Sequence, residues 1–222
     1  MKKLLIFDAY GTLLSTGKGS IEATKKILSL QEKKISADEF YKEWKRYHRK
    51  HMDESNASIF MTEAEIFKKD LKELYGQYQI DRPYSEDVKI MLDSLIGRNV
   101  FQEVIEAVAD LREKYRVVIG STTDTEPLLI NLENNGLVVD AVYTSEMIKK
   151  YKPDKRFFQY ILQQEECEAG EAVFIGDSLI DDIMGPQSIG ITSVLVDRND
   201  KYSLVEDIKP DYIIKKIGEK IC

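Results

Sequence analysis

Short apolar runs without polar alternation, spaced by amphipathic stretches, restrict this chain more than any other feature. The runs are Lys3–Phe7, Val117–Gly120, Ala141–Thr144, Ala172–Gly176, Thr192–Val196 and Tyr212–Ile214. They are rich in Val and Ile, and a strand that is apolar on both sides needs cover on both faces, as in a parallel sheet. Between them lie the amphipathic segments Phe101–Lys114, Glu126–Asn134 and Lys155–Glu165. Alternating strands and helices predict an α/β fold, a doubly wound parallel sheet with a Rossmann-like core. The 222 residues fit one large domain or a core with an insert.

The stretch from Thr16 to Ile96 breaks the alternation and shows no strand pattern. Ile21–Leu30 has apolar residues at helical spacing. Ser36 to Glu39 and Thr62 to Glu65 both match a capping box, in which an oxygen side chain is answered by Glu three residues on. Ile66, Phe67, Leu71, Leu74, Tyr75 and Tyr78 mark one helical face, and Val88, Met91, Leu92, Leu95 and Ile96 another. The expected organisation is a core domain of residues 1–14 and 97–222 with an all-helical domain, 15–96, inserted after the first strand.

Composition excludes several partners. Lys plus Arg is 32 and Asp plus Glu is 39, giving a net charge of −7. Such a chain lacks the positive field that general nucleic-acid binding requires. No apolar run approaches the length of a membrane span. The apolar stretch Leu4–Phe7 stops at Asp8, too short for an export signal. Cys167 and Cys222 have neither metal-ligand spacing nor a disulfide framework, and read as reduced thiols of a cytoplasmic protein. The expected state is a monomer or homodimer.

Ligands of an open parallel sheet bind beyond the carboxyl ends of its strands. Polar clusters follow four of the predicted strands: Asp8 to Leu14, Ser121 to Asp124, Lys152 to Asp154, and Gly176 to Asp182. Singly, each reads as a turn or a helix cap. Their order and placement together resemble the haloacid dehalogenase-like hydrolase superfamily. Asp8-Ala-Tyr-Gly-Thr-Leu13 matches its first motif, Ser121 its second, Lys152 its third and Gly176-Asp-Ser to Asp182 its fourth. The helical insert falls where one branch of that family carries a cap over the active site.

The resemblance implies a reaction. Asp8 would be the nucleophile, forming a covalent ester that water cleaves. A small phosphorylated, anionic substrate would need Mg²⁺, held by Asp8, the backbone carbonyl of Tyr10 and Asp177. Asp182 would serve the metal through water, with Asp181 as the alternative. Lys152 would pair with Asp8 and the transferred group. Ser121, Thr12 and the amides of Gly11 and Thr122 would donate to its oxygens.

Residue 10 departs from the phosphatase pattern. Family phosphatases usually have an aspartate there as general acid and base, whereas tyrosine is a feeble acid at neutral pH. Tyr10 instead resembles the 2-haloacid dehalogenase branch, in which Asp displaces halide without a metal. Asp177, Leu179 and Phe158 depart from that branch, which has Ser, Asn and Tyr at those positions. Its cap arginine follows a Trp; here Trp44 is followed by Lys45, and Arg46 stands as the candidate substrate-binding residue. A second carboxylate beside Asp8 makes sense when a cation sits between them, so the phosphohydrolase reading ranks first. A dehalogenase and a non-catalytic binding protein are the alternatives. The basic stretch Lys42–His51 reads as a solvated helix face. His48 and His51 lack an evident third metal ligand. A Gly-x-Gly-x-x-Gly run is absent, which argues against a dinucleotide cofactor.

Overall fold

The computed structural model describes residues 4–200, 202 and 208–219. In chain order, β1 (Leu4–Phe7) is followed by α1 (Gly19–Ser29), α2 (Ala37–Ala57), α3 (Glu63–Tyr78) and α4 (Tyr84–Asp93). Then come α5 (Val104–Arg112), β2 (Arg116–Ser121), α6 (Thr125–Asn135), β3 (Ala141–Thr144), α7 (Ser145–Ile148) and α8 (Lys155–Gln164). After β4 (Ala172–Gly176), a wide π-helical turn spans Leu179–Met184 and leads through α9 (Gly185–Gln187) to β5 (Thr192–Val196) and β6 (Tyr212–Ile214). The chain divides into two compact units, Met1–Ser15 with Asn99–Cys222, and Thr16–Arg98.

The first unit is an α/β layer structure. Its sheet is parallel throughout, in the order β3-β2-β1-β4-β5-β6. Strand side chains alternate between faces, so each buried strand serves two cores. Leu5, Phe7, Val117, Ile119, Val173 and Ile175 pack on one face with Val104, Val108 and Leu128. Leu4, Ile6, Val118 and Phe174 pack on the other with Phe157, Phe158 and Ile161. This double cover is why the strands read as unbroken apolar runs. The first strand begins at Leu4 among the described residues; Lys3 and Cys222 lie outside them.

The expected helix Phe101–Lys114 is shorter at both ends. The Phe101 amide is drawn to Leu13 O (3.0 Å), and the Val104 amide closes a turn onto Phe101 O (3.0 Å). The α-helix therefore starts at Val104.

The second unit is helical. Ile27, Phe40, Trp44, Phe67, Leu71, Leu74 and Met91 form its core. Thr62 and Glu65 make the complete capping box of α3, each side chain answering the other's backbone amide. Ser36 accepts from the Glu39 amide at the start of α2, which is the one half of a box recorded there. Trp44, Tyr47, His48 and His51 share the α2 face toward α3. Trp44 Nε1 donates to Asp70 Oδ2 (3.1 Å), and the Nδ1 atoms of His48 and His51 lie 2.8 and 2.5 Å from the two Asp70 oxygens. His51 Nε2 lies 2.9 Å from Glu73 Oε1. A fully buried carboxylate thus has partners on both oxygens, as burial requires. Trp44 and the histidines are packing groups of this unit.

Candidate active site

The strand order reverses direction between β1 and β4, which makes their carboxyl ends the switch point of the sheet. Phe7 pairs with Ile175 there. The Asp8 amide continues the ladder by donating to Ile175 O (2.9 Å). Asp8 and Asp177 therefore leave adjacent strands at nearly the same level. Ser121 ends β2, on the other side of β1, and is buried.

Lys152 joins these ends. Its Nζ donates to Asp8 Oδ1 (2.8 Å) and Asp182 Oδ1 (2.6 Å), and lies 5.0 Å from the centre of the Phe174 ring. Asp182 Oδ2 accepts from the Ser178 amide (3.0 Å), so both of its oxygens are engaged. Asp8 Oδ2 is buried and has no hydrogen-bond partner. One oxygen each from Asp8, Asp177 and Asp182 lies within 4.8 Å of the others. Asp181 is outside this group, and its amide donates to Ser178 Oγ (3.3 Å).

Three carboxylates and one ammonium leave two uncompensated negative charges when all are ionised. Burial raises the Asp8 carboxyl to about 7; Lys152 opposes this, while Asp182 and Asp177 add to it. Asp177 is pushed to about 6 by its crowded surroundings and the Asp182 charge, although its exposure at the rim lets solvent moderate the push. Burial works against the Lys152 charge, but Asp182 and Asp8 more than offset it and raise its pKa. A group of oxygens with one buried atom unsatisfied is a donor set suited to a hard divalent cation.

The loop after Asp8 is shaped around Asp177. Gly11 has φ +101°, and a Cβ there would lie 2.3 Å from Asp177 Oδ2. A Cβ on Gly176 would lie 2.3 Å from Asp182 Cγ. The Gly11 amide donates inside the loop to Leu14 O (2.7 Å). The glycine is required for backbone conformation and clearance. Thr12 is buried, and its hydroxyl is 3.5 Å from Asp177 Oδ1. Thr122 is half-buried beyond Ser121.

Tyr10 turns toward α6, where its hydroxyl accepts from Asn131 Nδ2 (3.0 Å). Phe158 is a core residue, 5.3 Å from Phe174 between ring centres. Arg46, in the helical unit, is exposed and pairs with Glu43 (2.9 Å).

Two contacts to the Asp8 loop were not expected from sequence. Asn131 is a polar residue on the buried face of α6, between Leu128 and Leu132. Arg198 follows β5 and donates from Nη2 to Thr12 O (2.9 Å). The place beyond a fifth strand end was the available signal for Arg198. Among the described residues, no helix is long and apolar enough to cross a membrane, and Cys167 forms no disulfide.

Comparison with known proteins agrees with this geometry. The family described as haloacid dehalogenase-like hydrolase matches residues 2–190. A ribulose-1,5-bisphosphate 5-phosphatase from Halopiger xanaduensis is 29% identical over 145 residues, 61% of this chain and 57% of that protein. The chain covers about half the length of the curated relatives it matches. A magnesium-bound structure of the HAD-hydrolase YfnB from Bacillus subtilis superposes with TM-score 0.80 at 20% identity, covering 97% of this chain and 95% of that one. The L-2-haloacid dehalogenase from Xanthobacter autotrophicus gives TM-score 0.80 at 16% identity, covering 98% and 96%. These two likenesses establish the fold. With the match over residues 2–190, the chain belongs to the haloacid dehalogenase-like hydrolases.

Proposed function

We propose that the protein is a Mg²⁺-dependent phosphohydrolase, acting on a small phosphorylated metabolite through an aspartyl-phosphate intermediate. In this reading residues 1–14 and 97–222 are the catalytic core domain, and 15–96 are a cap domain. It works in the cytoplasm as a monomer or homodimer, without nucleic-acid or membrane partners. The observation that carries the reading is the carboxylate group of Asp8, Asp177 and Asp182, with Asp8 Oδ2 buried and unpartnered. A dehalogenase that binds a carboxylate substrate gains nothing from two more anions beside its nucleophile.

Asp8, Asp177 and the Tyr10 carbonyl would hold Mg²⁺. Asp182 would act through water, since its own oxygens are taken by Lys152 and the Ser178 amide. The bound ion supplies charge neutralisation between the nucleophile and a phosphate dianion. A carboxylate oxygen of Asp8 would attack phosphorus while the leaving oxygen departs with the bonding pair and takes its proton from water. Water then attacks the acyl phosphate, releasing inorganic phosphate and restoring the Asp8 carboxylate. Lys152 would hold Asp8 through Oδ1 and fix the orientation of its carboxylate. Ser121, the Thr12 hydroxyl and the Thr122 amide would donate to the phosphoryl oxygens. Arg46 would contact the anionic substrate.

Tyr10 favours a second reading, the metal-independent 2-haloacid dehalogenase, because halide leaves without a proton. A phosphohydrolase with Tyr10 would favour leaving groups of low pKa.

Hydrolysis of p-nitrophenyl phosphate tests the proposal, since nitrophenolate hardly needs an acid. Turnover that requires Mg²⁺ and is abolished in Asp8→Asn is the expected result. No turnover, with halide released from short 2-haloalkanoates in chelator, would replace it with the second reading. Thermal stabilisation by phosphorylated ligands with neither product would mark a binding protein.

A further inference from the structure

Thr12 is tied through its hydroxyl and its carbonyl. Its hydroxyl is directed at Asp177 (3.5 Å), and its carbonyl accepts from Arg198 Nη2 (2.9 Å), a residue 186 positions away. The rest of the loop is held by short internal bonds: the Leu13 and Leu14 amides both donate to Ala9 O (2.9 and 2.8 Å). From outside, the Phe101 amide takes the adjacent carbonyl of Leu13 (3.0 Å).

Arg198 is built into its place. Nη1 pairs with Glu103 Oε1 (2.6 Å), and the guanidinium carbon lies 3.7 Å from the centre of the Phe101 ring. Its Nε is buried with no hydrogen-bond partner. Burial works to raise the Glu103 carboxyl, but its own backbone amide and Arg198 outweigh that and hold it below the ordinary value. A planar guanidinium donating in fixed directions to Glu103 and Thr12, with its face on an aromatic ring, is a rigid strut. Lysine cannot reproduce that geometry.

We propose that Arg198 is a positioning residue for the nucleophile loop. With Glu103 and Phe101 as its footing, it holds the Thr12 backbone so that the loop keeps Asp8 facing the substrate. The catalytic part of this inference rests on Asp8 being the nucleophile; the structural part does not.

Three forms of the whole protein test it: the parent, Arg198→Met and Arg198→Lys. Amide hydrogen exchange reads the loop without any activity. In Arg198→Met, exchange at the Leu13 and Leu14 amides is expected to quicken about tenfold, the equivalent of one charge-assisted hydrogen bond, while β4 amides keep the parent rate. In the p-nitrophenyl phosphate assay kcat is expected to fall about 10- to 100-fold, with KM within about twofold, because a small displacement of reacting groups costs rate more than binding. Arg198→Lys, which keeps one donor, should fall between. Unchanged exchange at Leu13 and Leu14, or exchange that rises equally in β4, would overturn the proposal, the second by showing a general loss of stability. Faster loop exchange with an unchanged kcat would overturn the catalytic part. Should Arg198→Met not fold, Glu103→Gln, which loosens the footing and leaves Arg198 in place, must give the same pattern in milder form. A parent without phosphatase turnover would fail the phosphohydrolase reading alone. The kcat arm would then move to halide release, and with no turnover of either kind the exchange arm decides.

Discussion

Asp8→Asn should make the metal-free protein more stable while destroying its activity. The carboxyl rises from 3.8 to about 7 on folding, chiefly through burial. A group raised in this way contributes stability that is fully present below its unfolded value and is lost as pH rises through the folded one. For Asp8 that loss runs from about pH 4 to just above pH 7, and its full size is about 4 kcal/mol at ~1.4 kcal/mol per pH unit. Part of the effect belongs to Lys152, which responds to the same charge. Asparagine still offers an oxygen to Lys152. It places an amide where Oδ2 has no partner, which costs about 1–3 kcal/mol. The net gain is then about 2 kcal/mol at pH 8, or about 4–8 °C in Tm for a chain of this size. Thermal melts of parent and variant in chelator between pH 5 and 8.5 measure it. The gap should open as pH rises from 5 to 7, level off above that, and close toward pH 5. A gap independent of pH, or a parent more stable than the variant at pH 8, would refute the charge argument. Adding Mg²⁺ at pH 8 should raise the parent's Tm and narrow the gap, because the ion compensates the charge that asparagine removes.

Gly11→Ala should abolish turnover and lower Tm, since its φ is +101° and the new Cβ would overlap Asp177; full activity would show that the loop can move away. Asp70→Asn should destabilise the helical unit by about 2–4 kcal/mol, because one amide cannot accept from Trp44, His48 and His51 together. Denaturant melts followed by Trp44 fluorescence measure this, and a shift below about 0.5 kcal/mol would mean that the network is dispensable.

Much of this protein is legible in its residues. Ala141–Thr144, Ala172–Gly176, Thr192–Val196 and Tyr212–Ile214 form strands with the bounds their apolar runs suggest. In β4, covered on both faces, no polar position falls inside the strand, and its ends coincide with the first polar residues. That is also why Asp8, Ser121 and Asp177 could be assigned to one edge of the sheet. The capping box at Thr62 is local chemistry, complete within four residues.

Tertiary structure decided the partners. Periodicity tells which face of an element is buried, never what it is buried against. Asn131 reads as a polar interruption of an apolar helix face, and only packing reveals it donating to Tyr10. His48 and His51 read as solvated, and only the approach of α3 supplies Asp70 and Glu73. Thr12 and Asp177 are 165 residues apart, and Thr12 and Arg198 are 186 apart. They meet because the strand order puts β4 beside β1 and β5 beside β4. Residue types along the chain determined which groups could do chemistry. Strand order, a property of the whole sheet, determined which of them share one charge environment.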